Sequence, residues 1–219
     1  MLHQLVITFH ASRFMHHGSR RMQPAIALLE FDSIAIGIRA GDAMVKRAPL
    51  DTVYAGTVHP GKYLVLVGGP VASVEEALAA GREWGGHALI DEIFLPAVHP
   101  DVVRALAGGR QTSDAEALGI IETKTVAATI GAADAGVKGA QVTLLEILLA
   151  DGLGGKGYAL FAGAVQDVEA AVEIGVASLT DPSQLIAEVV IARFHPEMLE
   201  NLRADTRFRP RVQSYRFTT

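Results

Sequence analysis

Histidines are the side chains of this sequence best suited to chemistry at neutral pH, because an imidazole can hold a borderline metal or change charge near its unperturbed pKa of about 6.5. His3, His10, His16 and His17 crowd the first residues at irregular spacing, which suits an unstructured arm better than a metal site. His99 and His195 each precede a proline where a helix is expected to begin. A feature repeated in both halves of a chain reads as a cap or an interface, not as catalysis. His59 lies in a tight His59-Pro60-Gly61 turn, where the plain reading is a solvated loop residue. Glu30 with Glu122, and Asp42 with Asp134, look like carboxylate pairs, but each pair is one residue per half. They mark repeated scaffolding, used for helix capping or interface ion pairs, and not an acid–base dyad, whose carboxyls lie within about 5–10 Å of each other. Gly152-Leu153-Gly154-Gly155 lacks both the G-x-G-x-x-G spacing and a helix directly after it, so a nucleotide loop is a poor reading. There is no cysteine, which excludes disulfides, thiolate metal sites and cysteine nucleophiles. With no nucleophile beside a base and no cofactor fingerprint, the chain is not expected to be an enzyme or to carry a cofactor.

The elements that position these residues read the same way twice. In the first half, residues 25–31 form a short apolar strand, Ser33 caps a helix that runs through 48, and Pro49 stops it. Strands follow at 52–58 and 63–67, a helix at 71–84, a strand at 89–95 and a short helix after His99-Pro100. In the second half the strands are 118–122, 142–149, 156–162 and 185–192. The helices are 125–140 and 165–177, with a last one after His195-Pro196. The order β-α-β-β-α-β plus a helix is a ferredoxin-like unit, an α+β fold in which helices and sheet make a two-layer α/β sandwich.

The halves are copies. Residues 27–50 align without a gap on 119–142 at an offset of 92, with nine of 24 positions identical, among them Glu30/Glu122, Asp42/Asp134 and Lys46/Lys138. Later landmarks keep step through small loop insertions: Gly81/Gly175 at offset 94, Glu92/Glu188 and His99/His195 at offset 96. The expected organisation is an arm at 1–23, domains at 24–108 and 116–202, a linker at 109–115 and a tail at 203–219. Met22, directly before the first strand, suits a natural start, with 1–21 either outside the native chain or a flexible arm.

Charge is segregated. The net charge of −5 divides into +3 over residues 1–23, +4 over 203–219 and −12 between them. Basic arms can bind nucleic acid, but these lack an aromatic platform or a reader fold, and packing on an acidic neighbour explains them as well. No apolar run reaches the ~18–20 residues that span a bilayer, and the first residues are not built as a signal peptide. The expectation is a cytosolic protein bound to neither nucleic acid nor membrane.

Specific motifs now carry a resemblance. The run G-D-A-x-V-K-x-A at 41–48 returns as A-D-A-x-V-K-x-A at 133–140. A glycine-rich turn precedes a strand ending in glycine, V-x-x-V-E-x-A opens the second helix, and His-Pro closes the fourth strand. This pattern resembles the bacterial microcompartment shell domain. Two unpermuted copies resemble the tandem, trimer-forming shell proteins, and within these the propanediol-utilisation type. The resemblance covers about residues 24–202. It implies a homotrimer with a six-sided outline that tiles a polyhedral shell in the cytoplasm, beside hexameric and pentameric shell proteins and around enclosed enzymes. It implies a central pore lined by His59, Pro60 and Gly61 of one copy and Leu153, Gly154 and Gly155 of the other. It also places Lys46, Lys138 and Arg193 at the tile edge, where Ala97 replaces Arg193 in the first copy.

On that reading six loops of two kinds meet at the centre. Glycine lets the backbone approach the axis and present N–H donors to small anions, and proline stiffens its loop. Some relatives have a cysteine where this chain has His59, and an iron–sulfur cluster with it; with no cysteine, no cluster is expected here. Three imidazoles around an axis suit Zn²⁺ or a pH gate, against the plain reading of a solvated loop. A different class of function, a small-molecule-sensing regulator, also uses ferredoxin-like repeats, but needs a pocket with converging polar groups that the sequence does not display.

Overall fold

The computed structural model of the protein describes residues 24–204 and 206–208; the rest of the two expected arms lies outside the described residues. The first unit runs β1 (Ala25–Phe31), α1 (Ile34–Arg47), β2 (Thr52–Val58), β3 (Lys62–Gly69), α2 (Val71–Gly85), β4 (Leu89–Leu95) and α3 (Pro100–Leu106). The second repeats it as β5 (Ala117–Thr123), α4 (Val126–Gly139), β6 (Thr143–Leu149), β7 (Gly157–Gly163), α5 (Val165–Ala177), β8 (Leu185–Ile191) and α6 (Pro196–Ala204). Every element expected from the sequence is present, with ends shifted by at most two residues.

Local chemistry sets the boundaries. The Ser33 and Thr125 side chains accept from the amides of Ile36 and Ala128, so each caps the first helix of its unit. Ala48, extended as residues before proline prefer to be, ends α1. The imidazoles of His99 and His195 accept from the amides of Asp101 and Glu197, 3.2 and 3.3 Å away. Both histidines are therefore structural caps of α3 and α6.

The sheets are antiparallel, with orders β2-β3-β1-β4 and β6-β7-β5-β8. These are the ferredoxin-like order, with the first strand of each unit central. Alternation along β1 sends Ala27, Leu29 and Phe31 to the helical face, where they pack with Ala40, Met44, Val74 and Leu78. The two helices of a unit cross closely because a small residue sits at the contact. A Cβ on Gly175 would lie 2.8 Å from the carbonyl oxygen of Ala132, and one on Gly81 2.8 Å from Sδ of Met44.

The opposite face of β1 carries Ile26 and Leu28, and it does not face solvent. It belongs to a core shared by the two units: Ile26, Leu28, Val98 and Val102 of the first pack with Val126, Ile130 and Leu144 of the second. The units are thus joined by a continuous apolar interior, not merely by a linker. α3 lies on β6, and α4 lies on β4.

Candidate functional site

The two loops expected to act together do meet. The β2–β3 turn closes with the Gly61 amide donating to Val58, and Gly61 has a φ of +116°. The β6–β7 loop winds through positive φ at Ala150, Gly152, Gly154 and Gly155, with the amides of Leu153 and Gly155 donating to the carbonyl of Ala150. A Cβ on Gly155 would lie 2.9 Å from Cδ of Pro60, so the loops pack backbone against ring. The Asp151 carboxylate then bridges them: its Oδ1 accepts from the His59 amide at 3.1 Å and lies 3.3 Å from Nδ1 of the same residue.

Asp151 directly precedes the glycine turn, and nothing local in the sequence points to its partner. The residues are 92 apart in sequence, and only the packing of one unit on the other brings them together. His59 and Asp151 are both largely exposed, and an exposed pair of this kind contributes little to stability. His59→Ala is therefore expected to leave the midpoint of thermal unfolding almost unchanged, within about 0.5 kcal/mol, when followed by circular dichroism.

Behind the loops lies a different carboxylate. Glu30 is fully buried, yet its Oε1 accepts from Nζ of Lys62 at 2.6 Å and its Oε2 from the amide of Val126 at 2.8 Å. Val126 is the first residue of α4, so Glu30 of one unit caps a helix of the other, where the helix dipole favours an anion. Burial pushes the Glu30 carboxyl above its ordinary value, outweighing the lowering by the Lys62 bond and charge and by the backbone amides. The copy of this arrangement is incomplete. Glu122 binds Lys156 at 3.0 Å, but both remain partly exposed and no helix end reaches Glu122 among the described residues.

That incompleteness is general. Ile34, Ile38 and Val45 on α1 are 40%, 53% and 50% exposed, while their copies on α4, Val126, Ile130 and Val137, are buried against the first unit. On the receiving side the asymmetry reverses: Val102 is buried and its copy Met198 is exposed. Asp134 is buried and accepts from the amide of His99; its copy Asp42 is exposed. The chain therefore presents at one end the face that its interior covers, and at the other end the face that does the covering.

The expected edge residues are in two states. Lys46 is exposed and bonded to Asp42, one turn back on α1. Lys138 makes the same contact with Asp134, which is tied into the contact between the units. Arg193 is exposed after β8, and Ala97 is exposed at the copied position after β4.

Two ferredoxin-like units, joined edge to edge through a shared core and bringing their inner loops together, define the class. The sequence matches the bacterial microcompartment (BMC) domain at residues 25–98 and again at 117–194, and the chain belongs to that family. It is similar to the bacterial microcompartment shell protein PduT of Citrobacter freundii, at 42% identity over 81% of this chain and 96% of that protein. Among solved structures it is similar to a microcompartment protein from Desulfitobacterium hafniense DCB, with 40% identity, a TM-score of 0.70, and coverage of 81% and 99% of the two chains. A fused, permuted hexameric shell protein from the RMM microcompartment shares the fold at 18% identity, with a TM-score of 0.54 over 73% of this chain and 83% of that one.

Proposed function

We propose that this chain is a shell protein of a bacterial microcompartment and that three copies close head to tail into a flat tile with a six-sided outline. The observation that carries this reading is the pairing of faces. The contact between the units of one chain, α4 on β4 and α3 on β6, uses surfaces whose copies, on α1 and β2 and on β8 and α6, stand free at the chain's two ends. A repeated heterologous contact closes into a ring when its rotation divides a full turn, and a ring of six such units is three chains. The similarity to shell proteins over most of the chain supports the same reading.

In such a ring His59, Pro60, Gly61, Leu153, Gly154 and Gly155 line the central opening, and Lys46, Lys138 and Arg193 lie at the rim, where hexameric and pentameric shell proteins would abut. The tile is structural and not catalytic, and it lies between enclosed enzymes and the cytosol. The relatives give no support to a small-molecule-sensing regulator. Electron microscopy of the purified protein tests the proposal. Threefold particles, sheets or tubes are the expected result, and a protein that stays monomeric at high concentration overturns it.

A further inference from the structure

The copied faces differ at one point in a way that the repeat makes legible. Within the chain, α4 meets β4 at Gly131, whose added Cβ would lie 3.0 Å from Ile93. Beside Ile93, Glu92 is held by its own unit: Arg82 of α2 donates to it from Nε at 2.7 and 2.9 Å and also from Nη2. Offset by the repeat, Gly131 becomes Arg39 on α1, Ile93 becomes Val189, Glu92 becomes Glu188 and Arg82 becomes Val176. The arginine has left the receiving side and appeared on the helix that is received.

Both halves of this exchange are poised in the structure. Arg39 is exposed. Its guanidinium lies 5.5 Å from the centroid of the Trp84 ring and donates to the Trp84 carbonyl at 2.9 Å, which holds the charge out from α1 with no carboxylate partner among the described residues. Glu188 likewise has no ion-pair partner among the described residues. It borders an open hollow of about 380 Å³ between α5 and β8, with Glu169 and Glu173 on the rim and Val172, Val176 and Val190 in the floor. In the first unit the copied positions are the larger Leu78, Arg82 and Phe94, and Arg82 there bonds Glu92.

We propose that α1 of a second copy of this chain seats on β8, with Arg39 reaching the strand edge and pairing with Glu188 across the contact. This rests on the head-to-tail reading above and deepens it. Seating α1 on β8 as α4 sits on β4 brings Arg39 to the place where Gly131 meets Ile93, next to Glu188, whose copied arginine is gone. The pair exists only where two chains meet, never within one.

Charge reversal on the full chain tests it. Arg39→Glu and Glu188→Arg alone are each expected to raise the concentration at which the assembly dissociates by about 30-fold or more, read by mass photometry across a dilution series. The double reversal is expected to return it to within a few-fold of the parent. Both positions are exposed, so far-UV circular dichroism should be unchanged. As a check that needs no weakened contact, the absence of native cysteine allows Arg39→Cys with Glu188→Cys and a short bismaleimide. Covalent multimers of the purified protein are expected. A parent that assembles normally, with single variants unaffected or no cross-link formed, overturns the Arg39–Glu188 contact and leaves the ring intact. A parent that never assembles removes the ring itself.

Discussion

Replacing Ile130 by aspartate is expected to leave no folded protein, and replacing its copy Ile38 by aspartate to leave a folded monomer. Both isoleucines occupy the same position of the same helix in the two units. Ile130 is fully buried in the core shared by the units. Aspartate there loses the packing of a large aliphatic side chain and buries a carboxylate without a partner, together costing upwards of about 4 kcal/mol, a large fraction of a typical domain's stability. Ile38 is 53% exposed in the single chain, so the same change costs little until a second copy covers it. Size-exclusion chromatography with light scattering should then give a particle of 23.2 kDa with native circular dichroism. An Ile38→Asp protein that still assembles shows that this face of α1 is not where chains meet.

The second large effect is expected at Glu30. Glu30→Ala removes the acceptor of both Lys62 and the first amide of α4, leaving a half-buried ammonium and a buried helix end without partners. The expected loss is about 3 kcal/mol in urea unfolding at neutral pH. Glu30→Gln keeps one acceptor and the shape, and should cost about 1 kcal/mol or less. The pH dependence separates the two contributions. The folded-state value of Glu30 lies above its unfolded value of 4.5, so the native chain holds this proton more tightly. Stability from this group is full below 4.5 and falls as the pH rises through the folded value. The glutamine variant lacks that fall, so its deficit against the parent should shrink as the pH rises from 4.5. A deficit that widens over that range contradicts the dominance of burial over Lys62.

These two residues also mark how far the sequence could be read. The order and ends of the elements were legible to within two residues, because the cap at Ser33, the stop at Pro49 and the alternation along β1 are local devices that act within a few residues. Repetition marked His99 and His195 as a cap or an interface and not as catalysis, and the local amide contacts make both caps. Glu30 was recognisable as scaffolding. Its partner, the Val126 amide, lies 96 residues away and is supplied by the packing of whole units, which no local pattern encodes. The β-bulge between Glu30 and Phe31 was likewise silent in sequence. The deepest limit is α1 against α4. Their apolar positions match, yet one helix is covered and the other free, because burial here depends on which copy has a neighbour in its own chain. The two loops were singled out by the family resemblance, whereas the tie between Asp151 and His59 needed the fold.

In the proposed ring, the shared core of Ile26, Leu28, Val126 and Leu144 has a consequence for the assembly equilibrium. Half of the contacts in a six-unit ring are made when the chain folds, at a local concentration set by the short segment between α3 and β5 and independent of how much protein the cell holds. Only three bodies must then find one another. Ring formation scales with the third power of concentration where six separate domains would require the sixth. Dilution therefore depopulates this ring less steeply, and fewer incomplete arcs compete with it at low expression.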